Sequence, residues 1–202
     1  MSRRRIGAED SETRAALLDA AHALMIEDGY AAVTSRKVAA RAGLKPQLVH
    51  YYFRTMDDLL LALFRRGAER NLERHARALA SEQPLWALWE FSNDPAGTAF
   101  TVELMALANH RTAIRADVAQ YAERFRRREV EAVTRILEGY GVDTGPVPTI
   151  VLLVLLSSVT RVLALEDGLG LRLGHAETRK AVERYLTELE GPRPPRAARE
   201  RR

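Results

Sequence analysis

Helical periodicity runs through nearly the whole chain and is the feature that most restricts its fold. In the first such segment, apolar residues recur every three or four positions, at Leu17, Leu18, Ala21, Leu24 and Met25. No segment shows the alternation typical of a strand, Val33 is an isolated β-branched residue, and no Asn-Gly hairpin signal occurs. We therefore predict an all-α fold.

Capping and helix-breaking residues divide the chain into nine predicted helices. Ser11 and Thr34 are good N-cap residues, Gly29 suits a C-cap, and Pro46 suits a first helical turn. Asp57 and its neighbour favour the start of the fourth helix. The predicted ranges are 11–28, 34–42, 45–53, 55–79, 84–91, 96–109, 114–138, 148–166 (closed at Gly168) and 176–189.

Composition excludes several classes of protein. The chain has no cysteine, which removes disulfides, thiolate metal sites and cysteine nucleophiles. The basic N-terminus is followed by charged residues where a signal peptide needs an apolar run, so we expect a cytoplasmic protein. The long apolar stretch 150–161 is shorter than the roughly 20 residues that span a bilayer. We expect it to be a helix buried on most sides, with no membrane partner.

The net charge of +4 is unevenly distributed. Residues 1–56 hold nine Arg or Lys and six Asp or Glu, and residues 191–202 hold five Arg and one Glu. The segment between them is therefore slightly acidic. A basic N-terminal part favours contact with phosphate only weakly at this size of asymmetry.

Residues 34–53 predict a helix-turn-helix, with two short helices joined at Gly43. Ala39 and Ala42 are small enough for close crossing, and the outward residues carry donors and aromatic rings without any acid, as a DNA-binding face requires. On periodicity alone, an ordinary helical hairpin with a solvated basic face remains an alternative.

The run from Val33 to Leu59 (VTSRKVAARAGLKPQLVHYYFRTMDDL) resembles the signature of TetR-type bacterial regulators, as does the preceding AAHALMIEDGY. The resemblance is specific over residues 11–64. It implies an N-terminal three-helix DNA-binding domain with a helix-turn-helix, followed by a helical ligand-binding and dimerisation domain. It also implies a ligand-responsive regulator of transcription, usually a repressor, that a small-molecule effector releases from its operator.

The resemblance also places the DNA-binding residues. Gln47 is the best candidate for a base contact, because an amide can read adenine through two hydrogen bonds. The full predicted set is Thr34, Arg36, Lys37, Lys45, Gln47, His50, Tyr51 and Arg54. Three positions depart from the family pattern: Lys45 replaces a capping Ser or Thr, His50 replaces a Tyr, and Met56 replaces a Lys. Loss of that Lys removes one expected phosphate contact.

For the C-terminal part, the resemblance implies an effector pocket and a homodimer through the last two helices. Aromatic and polar side chains are candidates for the pocket, with the alternative that each is plain core or surface; they are Trp86, Trp89, Phe100, Glu103, Asn109 and His110. The predicted domains are a flexible N-terminus (1–10), a DNA-binding domain (11–55), a ligand-binding and dimerisation domain (56–190) and a disordered basic tail (191–202).

Two other classes of function compete with this interpretation. An enzyme is disfavoured, because the five histidines show no metal-ligand spacing and neither a phosphate loop nor a catalytic triad is recognisable. We therefore predict no catalytic residue, metal or cofactor. A helical adaptor would show no sequence-specific DNA affinity. The effector, the operator and its genes, and the sign of regulation are not encoded in any recognisable pattern.

Overall fold

A computed structural model describes residues 11–193, which form nine α-helices and one 3₁₀ turn, with no strand in that range. The all-α prediction is confirmed. The elements are α1 (Glu12–Asp28), the 3₁₀ turn (Tyr30–Ala32), α2 (Ser35–Arg41), α3 (Pro46–Tyr52), α4 (Met56–Leu79), α5 (Pro84–Ser92), α6 (Pro95–His110), α7 (Thr112–Gly139), α8 (Thr149–Leu169) and α9 (His175–Glu190).

The N-terminal helices begin where the capping residues predict. Ser11 accepts a hydrogen bond from the backbone N–H of Arg14 at 3.2 Å, and Thr34 accepts one from that of Lys37 at 3.3 Å. At the start of α4, Thr55 and Asp58 exchange side-chain and backbone hydrogen bonds at 3.0 and 3.1 Å. These local contacts fix the residues at which α1, α2 and α4 begin.

Most helix ends lie within two residues of the predicted ones, and two features differ more: the end of α8 and an additional 3₁₀ turn. Helix α8 continues through Gly168 to Leu169, and its C-cap residue Gly170 has a φ of 79°, in the left-handed region. A glycine inside a helix costs about 1 kcal/mol relative to alanine but does not by itself end the helix. The 3₁₀ turn was not predicted, because three residues are too few to show periodicity.

The chain divides into two compact units, each with its own core. The first comprises the chain through Asn71 together with Ala99–Glu123, and the second comprises Leu72–Thr98 together with the chain from Arg124. The first core is built around Leu17, Leu18, Val38, Leu59 and Leu63, all 1% exposed or less. The second contains Trp86, Trp89, Val133, Leu137 and Leu153. The functional boundary near residue 55 stays a prediction.

Within the second unit, residues 191–193, where the tail was predicted to begin, contact α5 and the residue before it. The indole N–H of Trp86 donates to the backbone carbonyl of Gly191 at 3.1 Å. The side-chain amide of Gln83 donates to the backbone carbonyl of Pro192 at 3.1 Å. The guanidinium of Arg193 lies 5.7 Å from the Trp86 ring centroid. Backbone carbonyls and a cation make these contacts, and the predicted disorder of the tail (191–202) stays a prediction. The remainder of the predicted tail and the predicted flexible N-terminus (1–10) lie outside the described residues.

Helix α8 bears on two expectations: that the apolar stretch is too short to span a bilayer, and that its helix is buried on most sides. It has 21 residues and contains an 18-residue window of mean hydropathy 1.9, so by length and composition it could cross a membrane; no other helix in residues 11–193 meets that test. Only 22% of the window is buried within the chain, so the expectation of a helix buried on most sides is wrong for a single chain. The reason is that α8 buries one face, where Leu153 joins the second core and Leu163 is 5% exposed, while the opposite side is left exposed.

Candidate nucleic-acid interface

Helices α2 and α3 pack closely because the residues between them are small and apolar. Val38, Ala39 and Val49 are at most 1% exposed. The turn between the helices contains Gly43 at φ 68°, and the N–H of Leu44 donates to the carbonyl of Ala39 at 2.9 Å. This arrangement is a helix-turn-helix, as predicted.

Helix α1 holds the pair from one side through charged contacts. Both terminal guanidinium nitrogens of Arg41 lie 2.6 Å from the two carboxylate oxygens of Glu27. Such a bidentate pair restricts orientation as well as attracting charge. The Lys37 ammonium is 4.0 Å from Asp28 with both side chains more than half exposed, so this second pair contributes little and Lys37 stays available.

The structure brings all eight predicted DNA-binding residues to the surface of this segment. Gln47, His50 and Tyr51 follow the helical spacing i, i+3 and i+4 along α3, and Arg54 comes directly after the extended residue Phe53 that ends the helix. All four are exposed. The other four, Thr34, Arg36, Lys37 and Lys45, are exposed at the start of α2, within it and at the start of α3. One solvent-facing surface can therefore present them together; their contact with DNA stays a prediction.

The departures from the family pattern have visible structural consequences. Lys45 occupies the N-cap position of α3 and makes no side-chain capping hydrogen bond, so its ammonium is not used there. Met56 is partly buried and packs against the first core, whereas a lysine there would carry a charge. Ala40 and Pro46 are also exposed on this surface but were not predicted as DNA-binding residues. Their positions could have indicated them, because Ala40 lies one helical turn after Arg36 and Pro46 directly precedes Gln47. Small apolar groups of this kind can contact a thymine methyl group.

Helix α6 contacts the N-terminal helices at two places within the first unit. Glu103 accepts a hydrogen bond from the backbone N–H of Tyr30 at 2.7 Å, and the Tyr30 ring stacks on His110 with centroids 6.1 Å apart. Just after α6, Arg111 forms a short ion pair with Asp57 in the first turn of α4. Glu103 and His110, predicted as effector ligands, are therefore placed against the 3₁₀ turn.

The four remaining effector candidates are distributed over both units. Phe100 packs with His22 in the first unit, their ring centroids 5.2 Å apart. Asn109 is exposed, and its backbone carbonyl accepts a hydrogen bond from the guanidinium of Arg115. Trp86 and Trp89 are 2% and 3% exposed in the second unit. The structure thus brings the two tryptophans together but does not gather all six residues within one unit.

The second unit also contains a cavity of about 380 Å³ between α5, α7, α8 and α9. Its lining includes Trp89 and is otherwise almost entirely aliphatic, a feature that no single helix pattern in the sequence indicated. The residues described here contain no group of three or more His, Cys, Asp or Glu that could hold a metal ion.

Known sequences are similar to this chain over its first helices. Residues 17–63 match the family described as bacterial regulatory proteins, tetR family. Over 52 residues, the chain is 42% identical to the HTH-type transcriptional regulator BetI of Rhizobium meliloti (strain 1021). That alignment covers 26% of this chain and 26% of the relative, so the chain matches about a quarter of the curated relative's length.

Solved structures extend the similarity to the rest of the fold. A putative transcriptional regulator from Saccharomonospora viridis, in complex with choline, has a TM-score of 0.72 and 20% identity, with 89% of this chain and 97% of that one covered. A putative TetR-family regulator from Rhodococcus sp. has a TM-score of 0.68 and 17% identity, with 89% and 100% covered. At these identities the likeness shows a shared fold.

Proposed function

Because residues 17–63 match the TetR family of bacterial regulatory proteins, we propose that the chain is a member of that family and a sequence-specific DNA-binding regulator whose affinity for an operator responds to a small molecule. The observation that carries the proposal is the exposed surface of α2 and α3. From Gly29 to Met56 the chain contains no acid, and its predicted DNA-binding side chains are all exposed. Phosphate and base edges are recognised by such donors.

Each part of this surface has a distinct role in the proposal. Helix α3 enters the major groove, and the Gln47 amide reads a base edge. Lys45, Arg54 and Lys37 contact phosphates around the groove, so they set the affinity and its salt dependence. Binding then needs no catalytic step, metal or cofactor, and the protein acts as a regulator rather than an enzyme.

An exposed apolar stripe on α8 supports a homodimer. The stripe consists of residues on one face of the helix, each more than 40% exposed: Val151, Val154, Leu155, Val162, Leu165 and Leu169. Contiguous apolar surface of this kind marks a protein or membrane contact. The opposite face packs against the second core, which a helix surrounded by lipid would not do, so a second copy in the cytoplasm is the better partner. Two such chains would place their recognition helices about 34–36 Å apart.

The contacts of α6 suggest how an effector changes DNA affinity. Glu103 connects α6 to the 3₁₀ turn, and Arg111, just after α6, connects it to α4. Both the turn and α4 flank the DNA-binding helices in the first unit. An effector that favours a different position of α6 would move these contacts and change the spacing of the two recognition helices. We propose that the protein represses transcription when no effector is bound, and that the effector releases it from the operator.

Selection of bound DNA from a random pool tests the function. At about 0.15 M salt, where non-specific binding is suppressed, we expect a palindrome with half-sites one helical turn apart. Recovery of no sequence above background from a folded dimer would exclude the proposal and favour the adaptor.

Sedimentation of a stripe variant tests the dimer. Val162→Glu places a charge in the stripe and should yield monomers, because burying an unpaired carboxylate is unfavourable. Arg128→Glu, an exposed site on α7, is the control and should remain dimeric. Dimers in both variants would place the interface elsewhere.

A further inference from the structure

We infer that the effector is an uncharged, mainly hydrocarbon molecule, and that it binds in the cavity between α5, α7, α8 and α9. The inference rests on the proposed function and identifies the effector's chemical class and site. The cavity has a volume of about 380 Å³, which lies within the range of about 300–1,000 Å³ typical of small-molecule sites.

The cavity is a recess in the second core. Its inner wall is formed by side chains that are 8% exposed or less, namely Leu88, Trp89, Val133, Leu137, Leu153 and Leu186. Partly exposed Val159 and Val182 line it from α8 and α9. Buried side chains at its base and partly exposed ones at its sides form a concave apolar site, the kind that small molecules fill.

The chemistry of the lining selects an uncharged ligand. Only Trp89 and Tyr185 have a polar side-chain atom, and no lining residue is charged. Two carboxylates next to lining residues on α9 already have partners. Glu190 accepts from the N–H groups of Leu85 and Trp86 and from the Tyr140 hydroxyl, and Glu183 lies 3.7 Å from the Arg193 guanidinium. A charged ligand would lose its hydration without gaining a partner.

The cavity and the proposed dimer contact use different faces of α8. Successive residues in a helix are rotated by about 100°, so Leu152, Leu156 and Val159 lie on a face about a third of a turn away from the exposed stripe. Leu155 is common to both sets. A second copy of the chain that binds the stripe therefore leaves most of the cavity lining free to contact a small molecule.

The volume restricts the size of that occupant. An apolar cavity of about 150 Å³ stays dry and takes up benzene, so this larger recess suits a bicyclic or medium-chain hydrocarbon skeleton. At most two neutral polar groups, one for each polar lining residue, have a partner there.

Titration with N-phenyl-1-naphthylamine, a neutral fluorescent probe, tests the inference on the full-length protein. We expect saturable binding of one probe per chain at every protein concentration at which the dimer persists. Val159→Phe and Val182→Phe each fill the recess from a partly exposed position and should weaken binding by about tenfold or more. Ile150→Phe, on α8 but outside the lining, should change it by less than about twofold.

The inference is overturned by no saturable binding by folded protein, by equal binding of the probe to the filled variants and the Ile150→Phe control, or by binding that appears only when dilution dissociates the dimer. Displacement of the probe by benzyltrimethylammonium would also overturn it, because a cation has no partner in the cavity. DNA selection is measured on the same preparation. Specific DNA binding without probe binding refutes only the effector class, whereas probe binding without specific DNA binding refutes only the proposed function.

Discussion

The carboxylate of Glu103 accepts a hydrogen bond at 2.7 Å from the backbone N–H of Tyr30, 73 residues away in the chain. A Cβ at Gly29, where φ is 81°, would lie 3.4 Å from the same carboxylate oxygen. A side chain of α6 thus satisfies the first donor of the 3₁₀ turn, which has no side-chain cap of its own.

Removing this acceptor should destabilise the first unit. We expect Glu103→Ala to lower the free energy of unfolding by about 1–3 kcal/mol, because a half-buried backbone donor loses its partner. Glu103→Gln retains an acceptor oxygen and should lose less. Urea unfolding measures both, with Glu69→Ala, at an exposed position on α4, as the control. A Glu103→Ala variant as stable as the control would show that this hydrogen bond is not needed.

Gln47 and Lys45 should differ in what they contribute to DNA binding. Gln47→Ala should lower affinity for the selected operator, by about 1–3 kcal/mol per lost bidentate base contact, and leave affinity for scrambled DNA nearly unchanged. Lys45→Ala should weaken both equally and reduce the salt slope by about one. Titrations at several salt concentrations measure these effects. Equal losses on both DNAs for Gln47→Ala would remove its role in base reading.

The ionisation of Tyr140 should report the contact that joins α9 to α5. Burial, together with the hydrogen bond to Glu190 and its charge, raises the pKa of Tyr140 to about 12. In Glu190→Ala, ultraviolet absorbance should show this hydroxyl ionising nearer its ordinary value of 10, and Tyr140→Phe identifies its signal. The raised pKa stabilises the fold below pH 10, and that contribution is lost as the pH rises through about 12.

The same variant removes two more hydrogen bonds. Glu190 caps α5 by accepting from Leu85 at 2.9 Å and Trp86 at 3.0 Å, so its loss should also lower stability by about 1–2 kcal/mol. Unchanged stability and an unchanged Tyr140 titration would together exclude the contact in solution.

His22 should make the fold less stable in mild acid. Burial and the charges of Arg66 and Arg70 lower the pKa of His22 below 6.5. Between the lowered value and 6.5 the unfolded chain binds more protons, so stability present above pH 6.5 is lost as the pH falls through the folded value. Thermal unfolding on both sides of that range should show a smaller acid effect in His22→Gln. His50→Gln, at an exposed site, is the control, and equal acid effects in both variants would contradict the assignment.

Local signals predicted the helices well because their causes are local. Ser11 and Thr34 cap helices through backbone groups three residues away, and Pro46 suits a first turn wherever it occurs. The exposure of the predicted DNA-binding side chains follows from the same periodicity that buries Val38 and Val49. The prediction from local signals was wrong at Gly168, because α8 continues through this residue although glycine often ends a helix.

The amino-acid sequence by itself determined the all-helical fold, the helix-turn-helix and the donor-rich surface of α2 and α3, because capping and periodicity act over a few residues. The tertiary structure decided that Glu103 lies against the 3₁₀ turn, that residues 191–193 pack on α5, and that aliphatic residues of four helices enclose a cavity. These features depend on contacts between residues far apart in the chain, and the spacing of residues within one helix carries no information about which distant side chain will meet it.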